Sequence, residues 1–199
     1  IRHRRLAIRT INVEEVEAAR ADIRGSIQGD LADRLEAWRT SKGSLPFQSY
    51  KHRFEVLGDE SRQEAWAVVN GFARGDKDRL LDAAREMMRH GEKALPWVGA
   101  AARIDEASRA VRQIEGQLYC GLPLSVPVKL PIHLNGYFDL DSSRQKLTVD
   151  TGGGDVAAAL QARVQWNEAL IEHGASWAWS RLLRGLADEY PESMYGAWP

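Results

Sequence analysis

Residues 130–147, LPIHLNGYFDLDSSRQKL, hold the side chain best placed to do chemistry. Ile132, Leu134 and Gly136 alternate with His133, Asn135 and Tyr137, a strand pattern with one polar face. Ser142 and Ser143 end the pattern and leave Arg144 at the strand's exit. A guanidinium there stays charged at any working pH and offers five N–H donors in a planar fork that fits a phosphate. The plainer reading is a solvated surface cation.

Other candidates carry less. Asp150-Thr151-Gly152-Gly153-Gly154 in VDTGGGD (149–155) fits the D-x-G-x-G pattern by which GHKL-type ATPases hold adenine. A complete site of that kind also needs an upstream helix with a Glu and an Asn for Mg²⁺, and a second glycine-rich lid. Neither is recognisable, so the stretch reads as a flexible glycine loop. His3, His52, His90, His133 and His173 have no partner at metal-ligand spacing. The one cysteine, Cys120, lies in the apolar run LYCGL and reads as a small buried side chain, in a protein kept in a reducing cytoplasm. There is no G-x-S-x-G elbow and no P-loop, and the carboxylates are scattered along charged faces. Of the seven tryptophans, Trp166, Trp177, Trp179 and Trp198 crowd the C-terminal quarter. Core packing accounts for most of them, with a partner-binding patch on the last helix as the alternative.

The elements that must position these residues follow from periodicity. RLAIRTI (5–11) reads as a strand, and Asn12 with Glu15 forms a capping-box pattern for a helix from Val13. Val16, Ala19, Ile23, Ile27, Leu31, Leu35 and Trp38 make its apolar stripe, weakened at Gly25 and Gly29 by roughly 1 kcal/mol each relative to Ala, which leaves room for a break there. TSKGSLP ends the segment. SYKHRFEVLGDE and RQEAWAVVNGFA read as an antiparallel hairpin. Asp76 can cap a helix with Leu80, Leu81, Ala84, Met87 and Met88 inward and Gly91 as its stop. PWVGAAARI (96–104), EGQLYCGLPL (115–124) and PIHLNGYFDL (131–140) supply three more strands, and one long helix runs from about Val156 to Asp188, closed by Pro191. The order β, α, β, β, α, β, β, β, α predicts an α+β fold, a two-layer βαβ sandwich.

The chain has 199 residues, with 27 Lys+Arg against 28 Asp+Glu and 44% hydrophobic residues. That is enough for one core, and residues 1–199 are expected to form a single domain. The near-neutral balance argues against a nucleic-acid partner held by bulk charge, and no apolar run approaches the ~20 residues of a membrane helix. The start without Met, at IRHRR, suggests a fragment of a longer chain.

The run CGLPL, then LPIHLNGYFDLDSSRQKL, then WNEALIEHG resembles the repeat region of the sacsin family, including its bacterial ATPases. ALPWVGAAARID resembles a strand of the same family, so the likeness covers about residues 50–185. Ser142-Ser143 stands where an Asn commonly precedes the Arg, and Val126-Pro127-Val128-Lys129 where Glu-Thr-Gly is usual. The resemblance implies a segment following a GHKL ATP-binding domain related to the heat-shock protein 90 chaperones, equivalent to their middle or transducer domain. It implies that Arg144 reaches ATP bound in that preceding domain, with Ser143 beside it at the nucleotide and Gln145 orienting the loop. ATP and Mg²⁺ would belong to the longer protein and no cofactor to this segment. The implied partners are the GHKL domain and protein clients.

Overall fold

A computed structural model describes residues 7–27, 47–57, 61–73, 77–149 and 157–199. Strand β1 (Ala7–Thr10) leads into helix α1 (Val13–Ile27), with the Asn12–Glu15 pair at the junction. The two side chains meet directly, Asn12 Nδ2 donating to Glu15 Oε2 at 2.8 Å, in place of the reciprocal side chain–backbone bonds of the expected capping box. Their remaining capacity goes to the neighbouring strand: Asn12 Nδ2 donates to Lys51 O at 2.6 Å and Oδ1 accepts the Arg53 N–H at 2.9 Å, while Glu15 Oε1 accepts the Lys51 N–H at 3.2 Å. A local capping pattern has become a staple between helix and sheet. Helix α1 continues through Gly25 to Ile27, with Val16 and Ala19 buried. Gly29, Leu31, Leu35, Trp38, the TSKGSLP segment, Asp76 and residues 150–155 of VDTGGGD lie outside the described residues.

The expected hairpin forms from β2 (Phe47–Leu57) and β3 (Arg62–Phe72), in register from Phe47↔Gly71 to Val56↔Arg62. Strand β4 (Trp97–Asp105) follows helix α2 (Lys77–Arg89), and Gly91 ends that helix at φ 77°. Beyond β4 the sheet is more divided than the sequence pattern predicted. A short β5 (Ala110–Arg112) turns back onto β4. The single strand expected over 115–124 is two, β6 (Gly116–Cys120) and β7 (Leu122–Val128), reversed at Gly121, whose φ of 73° suits a residue without a Cβ. Strand β8 is confined to His133–Gly136.

The resulting sheet runs β1-β2-β3-β4-β8-β6-β7, with β5 sharing the edge of β4 with β8. All pairings are antiparallel except β6 with β8. Pro123 and Pro127 sit in β7, the edge strand, where missing N–H groups are tolerated.

The C-terminal helix reads as one element in sequence and is three in space. Helix α3 (Ala158–Ala169) widens into a π-helical segment (Leu170–Ala175) and resumes as α4 (Ser176–Glu189). Within the wide turn, a Cβ at Gly174 would stand 2.9 Å from Val98 Cγ1, so the missing side chain lets the turn settle on β4. Helices α2, α3 and α4 cover one face of the sheet. Val69, Val98, Trp166, Leu170 and Leu182, each at most 2% exposed, belong to the core between the layers. Each such side chain contributes about 1.5–3 kcal/mol through burial. Helix α1 lies toward the opposite face, where the charge of Arg20 reaches Tyr50 and His52. The architecture is therefore a mixed one, an eight-stranded sheet with a few helices, compatible with the α+β class.

Candidate functional site

Past Gly136 the chain leaves the sheet, and on the way to Arg144 the carbonyls of residues 137–140 each accept a hydrogen bond from a side chain. Trp166 Nε1 donates to Tyr137 O at 2.9 Å, Cys120 Sγ to Phe138 O at 3.4 Å, Asn167 Nδ2 to Asp139 O at 2.8 Å and an Arg163 Nη to Leu140 O at 3.0 Å. Backbone groups withdrawn from water need partners, and here four consecutive, partly buried carbonyls are bonded by four side chains. Three of those come from one face of α3, at positions i, i+3 and i+4.

The Asp139 side chain is drawn in as well. Its Oδ1 accepts from Arg163 Nε and from Thr148 Oγ1, each at 2.6 Å. Across the base of the loop, the Thr148 N–H donates to Asp139 O at 3.1 Å. Leu140 and Leu147 form an isolated bridge, and from it the turn Asp141–Lys146 projects.

The turn is closed by Asp141. Its N–H donates to Lys146 O at 3.0 Å, its carbonyl accepts the Arg144 N–H at 3.0 Å, and its carboxylate accepts the Ser143 hydroxyl at 2.7 Å. The Ser143 hydroxyl first, then backbone N–H donors, hold the Asp141 carboxyl below the usual aspartate value of 3.8. The Ser125 N–H donates to Gln145 O at 2.8 Å and ties the turn to the edge of β7. At the tip, Arg144 adopts φ 55°, the left-handed region that costs a residue with a side chain about 1 kcal/mol. The residue is exposed, and among the described residues its guanidinium has no hydrogen-bond or ion-pair partner.

Of the three residues expected at the site, then, Arg144 and Gln145 present exposed side chains and Ser143 shapes the turn through Asp141. Sequence reasoning did not single out Asp139, Thr148, Arg163, Trp166 and Asn167 for the loop. A signal existed: Arg163 and Asn167, one helical turn apart, bracket Val164 and Trp166 in an apolar helix, and a polar residue in such a stripe needs a buried partner.

The other candidates disperse. His133 stacks on Trp66 with centroids 4.9 Å apart; its Nδ1 is buried without a hydrogen-bond partner among the described residues, and burial lowers its pKa. His52 bonds Thr10, and His90 and His173 lie beside Glu86 and Glu172. Partial burial raises the Cys120 thiol pKa, which disfavours the thiolate form. Among the described residues no three His, Cys, Asp or Glu side chains gather where they could hold a metal, and no helix is long and apolar enough to cross a membrane. Trp166 is fully enclosed, Trp177 meets Phe47 edge-on, and Trp179 lies against the half-exposed Trp198.

The chain is 26% identical to human sacsin over 147 residues, 73% of its length, a stretch that covers only 3% of sacsin. No family model and no solved structure matches it. The sequence similarity supports a sacsin-like relationship.

Proposed function

We propose that this chain is the middle, transducer-like segment of a sacsin-like, chaperone-type ATPase, and that Arg144 is its contribution to ATP held in a separate GHKL domain. The observation that carries the reading is the tip of the 139–148 loop. A tightly hydrogen-bonded turn carries an exposed guanidinium that no group among the described residues engages. The likeness to sacsin over most of the chain supports it.

The chemistry is electrostatic. In phosphoryl transfer, negative charge spreads over the equatorial oxygens of the transferred group, and an arginine supplied from a neighbouring domain stabilises it without taking or giving a proton. Ser143 fixes the turn behind the guanidinium. Gln145, anchored by its carbonyl to Ser125, orients the loop. Adenine, Mg²⁺ and the attacking water belong to the other domain, so this chain alone does not turn over ATP. The same reading places the longer protein in the cytoplasm, relaying nucleotide state to protein clients.

The test is ATP turnover by the longest natural protein that contains this chain. Arg144→Ala is expected to lower it about tenfold or more while nucleotide affinity changes little. Unchanged turnover rejects the role.

A further inference from the structure

We infer that Asn167 is the positioning residue for Arg144, with Arg163 as its support, so that helix α3 presets the guanidinium before any ligand arrives. What Arg144 meets rests on the reading above; that α3 positions it does not.

Asn167 is only 3% exposed, so it meets no ligand itself. Its amide is used at both ends. Oδ1 accepts the Asp139 N–H at 2.8 Å, while Nδ2 donates to Asp139 O at 2.8 Å and to Thr148 O at 3.2 Å. Only one orientation of the amide satisfies all three bonds. One side chain thus grips both backbone groups of the residue entering the loop and the carbonyl of the residue leaving it. Arg163, one turn earlier, takes the Asp139 carboxylate and Leu140 O.

Packing alone does not explain an asparagine here. An apolar residue would fill the same volume without burying an amide, a substitution that core positions ordinarily favour. The amide is explained by the backbone groups that the short 139–148 pairing leaves over, the Asp139 N–H and the Thr148 carbonyl. Between this grip and the tip there is little slack, because the Leu140↔Leu147 bridge, the Asp141 turn and the Ser125 bond tie each intervening stretch. A displacement of α3 relative to the sheet therefore carries the base of the loop with it. Helix α3 is itself seated on the sheet through the π segment, at the Gly174 contact with Val98.

The test has two arms. In this chain, amide hydrogen exchange is measured in Asn167→Ala and in Arg163→Met. The second substitution is at a partly exposed side chain, 31% accessible, and keeps the experiment decisive where the first fails to fold. The amides of Asp139, Asp141, Gln145, Lys146 and Thr148 are expected to exchange about tenfold faster or more, with β3 and β4 unchanged. Acceleration spread evenly over the chain, or none in the loop, overturns the inference.

In the longer protein, both variants are expected to lower kcat for ATP with KM within about twofold, and to add nothing in an Arg144→Ala background. A loss that persists there overturns the inference, because the helix would then act by another route. Should Arg144→Ala alone leave turnover unchanged, the functional reading falls and the exchange arm by itself decides whether α3 positions the loop.

Discussion

Ser108-Arg109, in the turn between β4 and β5, and Ser143-Arg144, in the loop after β8, are the same dipeptide in two settings. Both arginines sit at left-handed φ, 51° and 55°. Both turns wrap around an aspartate: Asp105 Oδ1 accepts the Ala107 and Ser108 N–H groups at 3.0 and 3.2 Å, as Asp141 Oδ1 accepts the Ser143 hydroxyl at 2.7 Å. They part in what surrounds them. Asp105 is also bonded by Arg112, and Arg109 extends to Glu189 O at 3.4 Å, at the C-terminal end of α4 where a cation is favoured. Ser193 ties the same turn down through the Val111 N–H at 3.0 Å. Both residues are exposed, but one guanidinium reaches a carbonyl of its own fold through a single long bond and the other has no such partner among the described residues. A Ser-Arg pair after a strand does not by itself fix how its arginine is presented; the element that passes beside the turn does.

The anchoring of the second turn is the part whose removal should cost most. Trp166→Ala empties a fully buried site and deletes the bond to Tyr137 O, and is expected to destabilise by about 3–5 kcal/mol, read from urea denaturation. A loss under about 1 kcal/mol would mean that the clamp holds nothing. Next comes the contrast between the arginines. In the longer protein Arg144→Ala should lower ATP turnover about tenfold or more and Arg109→Ala less than about twofold. Equal losses would erase the distinction between the two cations. A smaller effect concerns strain. Arg144→Gly relieves a left-handed residue and is expected to leave stability unchanged or raise it by up to about 1 kcal/mol, while Arg109→Gly gains less because it gives up the Glu189 contact. The smallest effect is on pH. The Arg112 hydrogen bond, followed by the Ser108 N–H, pulls the Asp105 carboxyl down to about 2, and Asp141 lies below 3.8. Both values are depressed in the folded state. Their contribution is therefore complete above the ordinary value and fades as pH falls through the folded one. A ¹³C carboxyl titration should find both below 3.8; a value at or above it would mean an open turn.

Much of this fold was legible because its signals are local. The β2–β3 hairpin, α2 with its stop at Gly91, and β4 each follow from alternation or helical spacing within one segment. The misses share a cause. The split of 115–124 at Gly121 and the π segment at 170–175 look like uninterrupted apolar pattern, and only contact with a neighbour reveals the change: β7 folding back on β6, Gly174 settling on Val98. The site divides in the same way. Arg144 was conspicuous as a cation at a strand's exit, whereas Asn167 lies 23 positions away and matters only through three backbone atoms of another segment.

By itself the sequence determined much of the alternation of strands and helices, the absence of bulk charge for nucleic acid, and a Ser-Ser-Arg at a strand's exit, since each depends on residue type and short-range spacing. Which arginine meets a carbonyl of its own fold and which meets no partner among the described residues was decided only by tertiary structure. Hydrogen-bond capacity is a property of side chains, but its satisfaction depends on what the rest of the chain brings within 3 Å or so. The end of α4 arrives beside Arg109. Asn167 and Arg163 on α3 reach the base of the other loop, and Arg144 stands beyond them.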